Sequence, residues 1–118
     1  MELVALLSSD KESWGQVSGL INNGEWEKII LLGDSFARDN FSTTKENTTF
    51  IKLKLDQRLK DLKEEFHKKL KGKIGGTEVA LSIASGNGKE HMALISALLH
   101  LPVGIRFAAL TKDGIIDL

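Results

Sequence analysis

Glu78-Val79-Ala80-Leu81-Ser82-Ile83-Ala84-Ser85-Gly86-Asn87-Gly88-Lys89-Glu90-His91-Met92-Ala93-Leu94-Ile95 decides the fold. The run 78–84 is short and nearly continuously apolar, the pattern of a strand buried on both faces of a parallel sheet. Residues 85–89 are small, polar and glycine-rich. From Lys89 to Leu101 the chain is apolar at helical spacing until Pro102, which cannot continue a helix. Strand, tight turn and helix in that order make half of a βαβ unit.

Working outward, the same grammar recurs. Glu2–Leu7 is another buried apolar run, ending at Ser8-Ser9-Asp10. Ser9-Asp10-Lys11-Glu12 has capping-box spacing and predicts a helix start, with Trp14, Val17 and Ile21 on one face and Asn22-Asn23-Gly24 as the stop. Lys28–Leu32 reads as the second strand. Phe36–Phe41 allows a helical turn, and 42–47 reads as a loop. Thr49–Leu55 alternates, with Ile51, Leu53 and Leu55 against Lys52 and Lys54, as a sheet-edge strand does. Asp56 is the expected cap of a helix over 57–71, closed by Gly72; Gly75-Gly76 is a turn. Ile105–Leu110 and Ile115–Leu118 flank Lys112-Asp113-Gly114 as a hairpin. The expectation is one α/β domain over 1–118. It is a three-layer Rossmann-like fold with a mostly parallel sheet of order 3-2-1-4-5 and a C-terminal antiparallel hairpin. The helix after the fourth strand is apolar nearly all round and should be covered on more than one side.

Composition narrows the chemistry. The 118 residues are 42% hydrophobic and 27% charged, which excludes a disordered chain. No cysteine is present, which excludes disulfides, thiolate metal sites and cysteine nucleophiles. Sixteen Lys+Arg balance sixteen Asp+Glu, so duplex nucleic acid is not an expected partner. Residues 52–73 are locally basic, with nine Lys/Arg against four acids, and read as a solvated helix laced with pairs such as Glu64–Lys68. Glu64-x-x-His67 has metal-like spacing but no second copy, so neither a metal nor another cofactor is expected. The opening apolar run is too short for a signal peptide, no stretch could span a bilayer, and a cytoplasmic location is expected.

In a doubly wound sheet, ligands bind beyond the strands' carboxyl ends where strand order reverses, here between the first and fourth strands. Ser8, Ser9 and Asp10 leave one of these; Ser85, Gly86, Asn87, Gly88 and Lys89 leave the other. Both corners open a helix, whose free N–H groups attract anions, and Lys89 adds a charge. His91 lies in the first helical turn beside them. This convergence points to a phosphate-bearing ligand. The turn is neither a P-loop, since Glu90 follows Lys89, nor the dinucleotide fingerprint, since His91 replaces its third glycine. A structural βα turn without ligand is the alternative for 85–89, and a simple helix cap is the alternative for Ser9.

Ser82-Ile83-Ala84-Ser85-Gly86-Asn87-Gly88-Lys89-Glu90-His91-Met92-Ala93, followed by an apolar helix, Pro102 and a terminal hairpin, resembles the CARF domain (CRISPR-associated Rossmann fold) in its stand-alone form. The motif departs from the family's by Asn87 in place of the second glycine and by Met92 one position late. The resemblance implies a homodimer that binds a cyclic oligoadenylate second messenger of antiviral defence across its two-fold axis. Some family members also open the ring without a metal. It further implies that Ser8, Ser9 and 85–89 line the pocket, with Ser9 and Lys89 as catalytic candidates. No winged helix is expected after Leu118, and Arg58 and His67 are too far apart for the pattern of the family's ribonuclease partners, so a free-standing sensor or ring-cleaving enzyme is expected. Two other readings use the same residues: an adaptor docking a protein through its apolar helix, and a mononucleotide-binding subunit.

Overall fold

The computed structural model describes residues 1–118. Strands β1 (Glu2–Leu7), β2 (Ile29–Gly33), β3 (Thr48–Lys52), β4 (Glu78–Ser82), β5 (Gly104–Thr111) and β6 (Gly114–Asp117) form one sheet ordered β3-β2-β1-β4-β5-β6. All pairs are parallel except β5–β6. The helices are α1 (Trp14–Asn23), α2 (Ser35–Asn40), α3 (Leu59–Leu70) and α4 (Gly88–Leu99), with a 3₁₀ turn at Lys11–Ser13 before α1. The Rossmann-like order 3-2-1-4-5 with its terminal antiparallel hairpin is the architecture expected.

Alternation along the central strands divides the core into two layers. Val4, Leu6, Ile30, Leu32, Val79 and Leu81 face α3 and α4, where Leu62, Phe66, Leu70, Leu94 and Leu98 meet them. Leu3, Ala5, Leu7, Ile29 and Leu31 face α1 through Val17, Leu20 and Ile21. Each fully buried Leu, Ile or Val contributes roughly 1.5–3 kcal/mol. All of β1 and β2 is buried, which is why both read as continuous apolar runs rather than alternating ones. At the opposite, amino end of the sheet, the buried Glu2 carboxylate accepts the N–H groups of Gly75 (3.0 Å) and Gly76 (2.9 Å), holding the α3–β4 turn under β1.

Two helix starts differ from expectation, and a third gains a cap that was not anticipated. Asp10, not Ser9, caps the first helical segment, accepting the Glu12 N–H at 3.1 Å, and the 9–12 capping box does not form. The Ser9 hydroxyl is instead bonded to Asp34 on the β2 side. Asp56 does not cap α3; Arg58 holds the cap position without a side-chain bond. Asn87 builds the true capping box. Its side chain accepts the Glu90 N–H at 2.9 Å, while Glu90 accepts the Asn87 N–H at 3.1 Å. The pair Glu64–Lys68 is not among the ion pairs; Arg58–Asp61 is the only one on α3. The outer face of α4 remains uncovered, with Met92 59% and Leu99 60% exposed.

Candidate functional site

The sheet's strand order reverses at the β1–β4 boundary, where the two serine-bearing corners meet. Ser85, fully buried, sits at the centre. Its hydroxyl oxygen accepts the Ser8 N–H at 2.8 Å and lies 3.0 Å from Ser8 Oγ and 2.7 Å from Ser13 Oγ. Ser8 Oγ also accepts the Asp10 N–H at 3.1 Å. Trp14 Nε1 donates to the Ser8 carbonyl at 2.8 Å, closing the corner from the α1 side. Ser13 Oγ also lies 2.7 Å from the Asp10 carbonyl. A carbonyl only accepts, so the single Ser13 proton goes to Asp10, and the Ser85 and Ser8 hydroxyls complete the cluster with their own protons.

The 85–89 turn is shaped by close packing. Gly86 has φ +108°, and a Cβ there would lie 2.5 Å from Leu6 Cδ2, so only glycine fits. With Asn87 taking the Glu90 N–H and its carbonyl taking the His91 N–H, the Gly88 and Lys89 N–H groups at the start of α4 have no partner. These two donors and the helix dipole face the end of the sheet beside the serine cluster. The Asn87 side chain is itself consumed by the cap.

His91 Nε2 lies 2.9 Å from the Ser85 carbonyl. A carbonyl oxygen only accepts, so Nε2 carries the hydrogen and Nδ1 is the unprotonated nitrogen of the neutral ring. Lys89 Nζ is bound to the Gln57 carbonyl at 2.6 Å, bridging from α4 to the β3–α3 connection. Ser9 Oγ donates to Asp34 Oδ2 at 3.0 Å, while Asp34 Oδ1 caps α2 through the Ala37 N–H. The ledge is therefore divided by charge. Asp10 and Asp34 lie on its β1–β2 side, and the free N–H groups and Lys89 lie on its β4 side.

The sequence-predicted residues Ser8, Asp10, Ser85, Gly86, Gly88 and His91 thus belong to one ledge, and Asn87 frames it. Ser9 turns toward β2, and Lys89 toward Gln57. Ser13, Asp34 and Gln57 were not anticipated. Ser13 stands four residues after Ser9 and has that spacing as its only local signal, whereas Asp34 and Gln57 arrive through the sheet topology. The Asn87-x-x-Glu90 spacing does carry a capping signal legible in sequence. No group of three or more His, Asp or Glu side chains stands close enough to hold a metal ion, and no helix is long and apolar enough to cross a membrane.

Beyond the end of β4 the sheet forks. The β4–β5 pairing stops at Leu81–Phe107, while β5 continues to Thr111 paired with β6. The fork is a groove of about 400 Å³ lined only by hydrophobic residues, among them Ile83, Phe107, Ala109 and Leu118. It adjoins the 85–89 turn directly, through Ile83 and Ala84.

Fold and site together define a doubly wound α/β domain with a cluster of serine hydroxyls at its switch point. No protein-family model matches the chain, and no curated protein matches it in sequence.

Proposed function

We propose that this domain binds a cyclic oligoadenylate across the two-fold axis of a homodimer. The observation that carries the reading is the meeting of Ser8 with Ser85 beside the unpartnered Gly88 and Lys89 N–H groups, beyond the carboxyl ends of two adjacent parallel strands. A phosphate seated there receives the Gly88 and Lys89 N–H groups, and Lys89 reaches it by releasing the Gln57 carbonyl. The apolar fork is the surface that a second copy would cover. Isologous contact through it brings two 85–89 turns together, so each protomer supplies half of a site for a two-fold ligand.

Ring opening is the second activity proposed for the same ledge. The ribose 2′-oxygen bonds to the adjacent phosphorus, the bond from phosphorus to the 5′-oxygen breaks, and the 2′ proton leaves as the 5′-oxygen gains one. The products carry a 2′,3′-cyclic phosphate and a 5′-hydroxyl. Alignment and charge stabilisation suffice for such a step. Ser9 already gives its proton to Asp34, so it presents lone pairs and is suited to orient a 2′-hydroxyl. Lys89 and the α4 N–H groups stabilise charge on the phosphate.

Cyclic tetra-adenylate is the probe. Binding at a hundredfold excess over Kd adds roughly 2.7 kcal/mol of stability, which a thermal shift reads directly. Chromatography of the nucleotide separates binding from cleavage, and light scattering reports the dimer. Absence of both stabilisation and cleavage rejects the reading. The second reading, a mononucleotide held by one chain, is favoured by the fact that Ser8, Ser85, Gly88 and Lys89 all belong to a single protomer. It requires stabilisation by AMP or ATP of a protein that stays monomeric.

A further inference from the structure

Apart from the crevice, the molecule leaves a second apolar surface uncovered, on the flank formed by α3 and α4. Met92 and Leu99 are 59% and 60% exposed, although both lie in a well-formed helix whose inner face is buried. They are seven residues apart and therefore on one stripe, about 10 Å from end to end. Leu59, 40% exposed at the start of α3, faces the same groove. The groove measures about 430 Å³ and is lined by Leu59, Met92, Ala93, Ser96, Lys60 and Lys63. Its continuation toward the end of α4 is lined by Lys63, Glu64, His67 and His100.

Three occupants are conceivable: nucleic acid, a second copy, or another protein. A nucleic-acid strand needs aromatic platforms for its bases, and this groove has none. A second copy in isologous contact would bring the same lining, which holds two lysines and no carboxylate, and so offers Lys60 and Lys63 no partner of opposite charge. A partner with carboxylates flanking apolar side chains satisfies both the floor and the rim. The spacing of Met92 and Leu99 matches the apolar stripe of a helix.

We infer that the α3–α4 groove docks an acidic amphipathic helix of a partner protein, its apolar stripe on Leu59, Met92 and Leu99 and its carboxylates on Lys60 and Lys63. The site needs no nucleotide and stands independently of the crevice. It gives the chain a means of passing its state to a separate protein.

The test uses a fluorescein-labelled amphipathic peptide of about 15 residues, long enough to hold a helix on a surface. It carries leucines at helical spacing with glutamates flanking them. A second peptide carries lysine at each glutamate. Fluorescence anisotropy should show binding of the acidic peptide and not of the basic one. Met92→Asp and Leu99→Asp should each weaken it by about tenfold or more. The double variant Lys60→Glu/Lys63→Glu should invert the preference to the basic peptide. Met92, Lys60 and Lys63 line the groove and Leu99 is exposed two turns along the same helix; circular dichroism confirms that the variants fold. The inference is overturned by binding of neither peptide, by equal binding of both, or by a preference that fails to invert. It is also overturned if Leu99→Asp dissolves a dimer seen in light scattering, which assigns the stripe to a second copy. Displacement of the peptide by oligoadenylate RNA overturns it in favour of nucleic acid.

Discussion

Ser8 and Ser85 are seventy-seven positions apart in the chain and 3.0 Å apart at their hydroxyls, joined again by the Ser8 N–H at 2.8 Å. This contact ties the end of β1 to the end of β4 at the point where strand order reverses. Both corners of the crevice therefore depend on one buried hydroxyl.

Removing that hydroxyl leaves the Ser8 N–H without its acceptor and the Ser13 hydroxyl without one of its two hydrogen-bond partners. Ser85→Ala should cost about 1–3 kcal/mol, the penalty of an orphaned donor in a mostly buried place. Ser9→Ala loses only an exposed bond to Asp34 and should stay within about 0.5 kcal/mol of the parent. Urea denaturation compares them; equal effects would show that Ser85 is no more than another surface serine.

The two glycines of the turn should respond in opposite ways. Gly86→Ala forces a side chain into a positive φ and against Leu6, which is itself fully buried. A cost of about 1–3 kcal/mol is expected from the backbone alone. Gly88 has no atom within 4 Å of a prospective Cβ and opens a helix. Gly88→Ala should be neutral or stabilising by up to about 1 kcal/mol, through the reduced freedom of the unfolded chain. A thermal melt in which Gly86→Ala matches the parent would contradict the packing described for the turn.

These contrasts show which parts of the structure were legible in the sequence. β1, β2 and β4 are buried on both faces, so their apolar runs had one consistent reading, and the alternation of strands with helices indicated a parallel sheet, for which 3-2-1-4-5 is one of the two common orders. Helix starts were less legible, because Ser9, Asp10 and Asp56 all carry capping chemistry. Which of them caps depends on the path of the chain into the helix: a 3₁₀ turn favours Asp10, and neither Asp56 nor any other side chain caps α3. The meeting of Ser8 with Ser85 followed from topology. The diversion of Lys89 to the Gln57 carbonyl did not, since it depends on where the β3–α3 connection passes over the crevice.

The capping box of α4 supplies a third prediction. Asn87→Ala removes the acceptor of the Glu90 N–H and should cost about 0.5–2 kcal/mol. Glu90→Gln preserves a group able to accept the Asn87 N–H and should cost less than Glu90→Ala. Chemical denaturation of the three variants decides this. Equal losses for Gln and Ala at position 90 would mean that packing of this nearly buried side chain, and not its bond to Asn87, holds the start of the helix.

In the proposed ligand site, Lys89 is the side chain that would supply positive charge. Its ammonium is 2.6 Å from a backbone carbonyl, so the acceptor survives any change in the Gln57 side chain. Lys89→Ala should lower stability by no more than about 1 kcal/mol, the net value of one such bond. It should weaken binding of cyclic tetra-adenylate by on the order of tenfold, about 1.4 kcal/mol. Because the lost contact is to a phosphate, the difference between parent and variant should shrink as salt rises. Gln57→Ala serves as the control: it keeps the carbonyl and removes the side-chain bonds to Glu65 and to the Lys54 carbonyl, so its affinity should match the parent's. If Lys89→Ala binds as tightly as the parent at low salt, the phosphate is held by the α4 N–H groups alone, and the Lys89 ammonium serves only to fasten the β3–α3 connection.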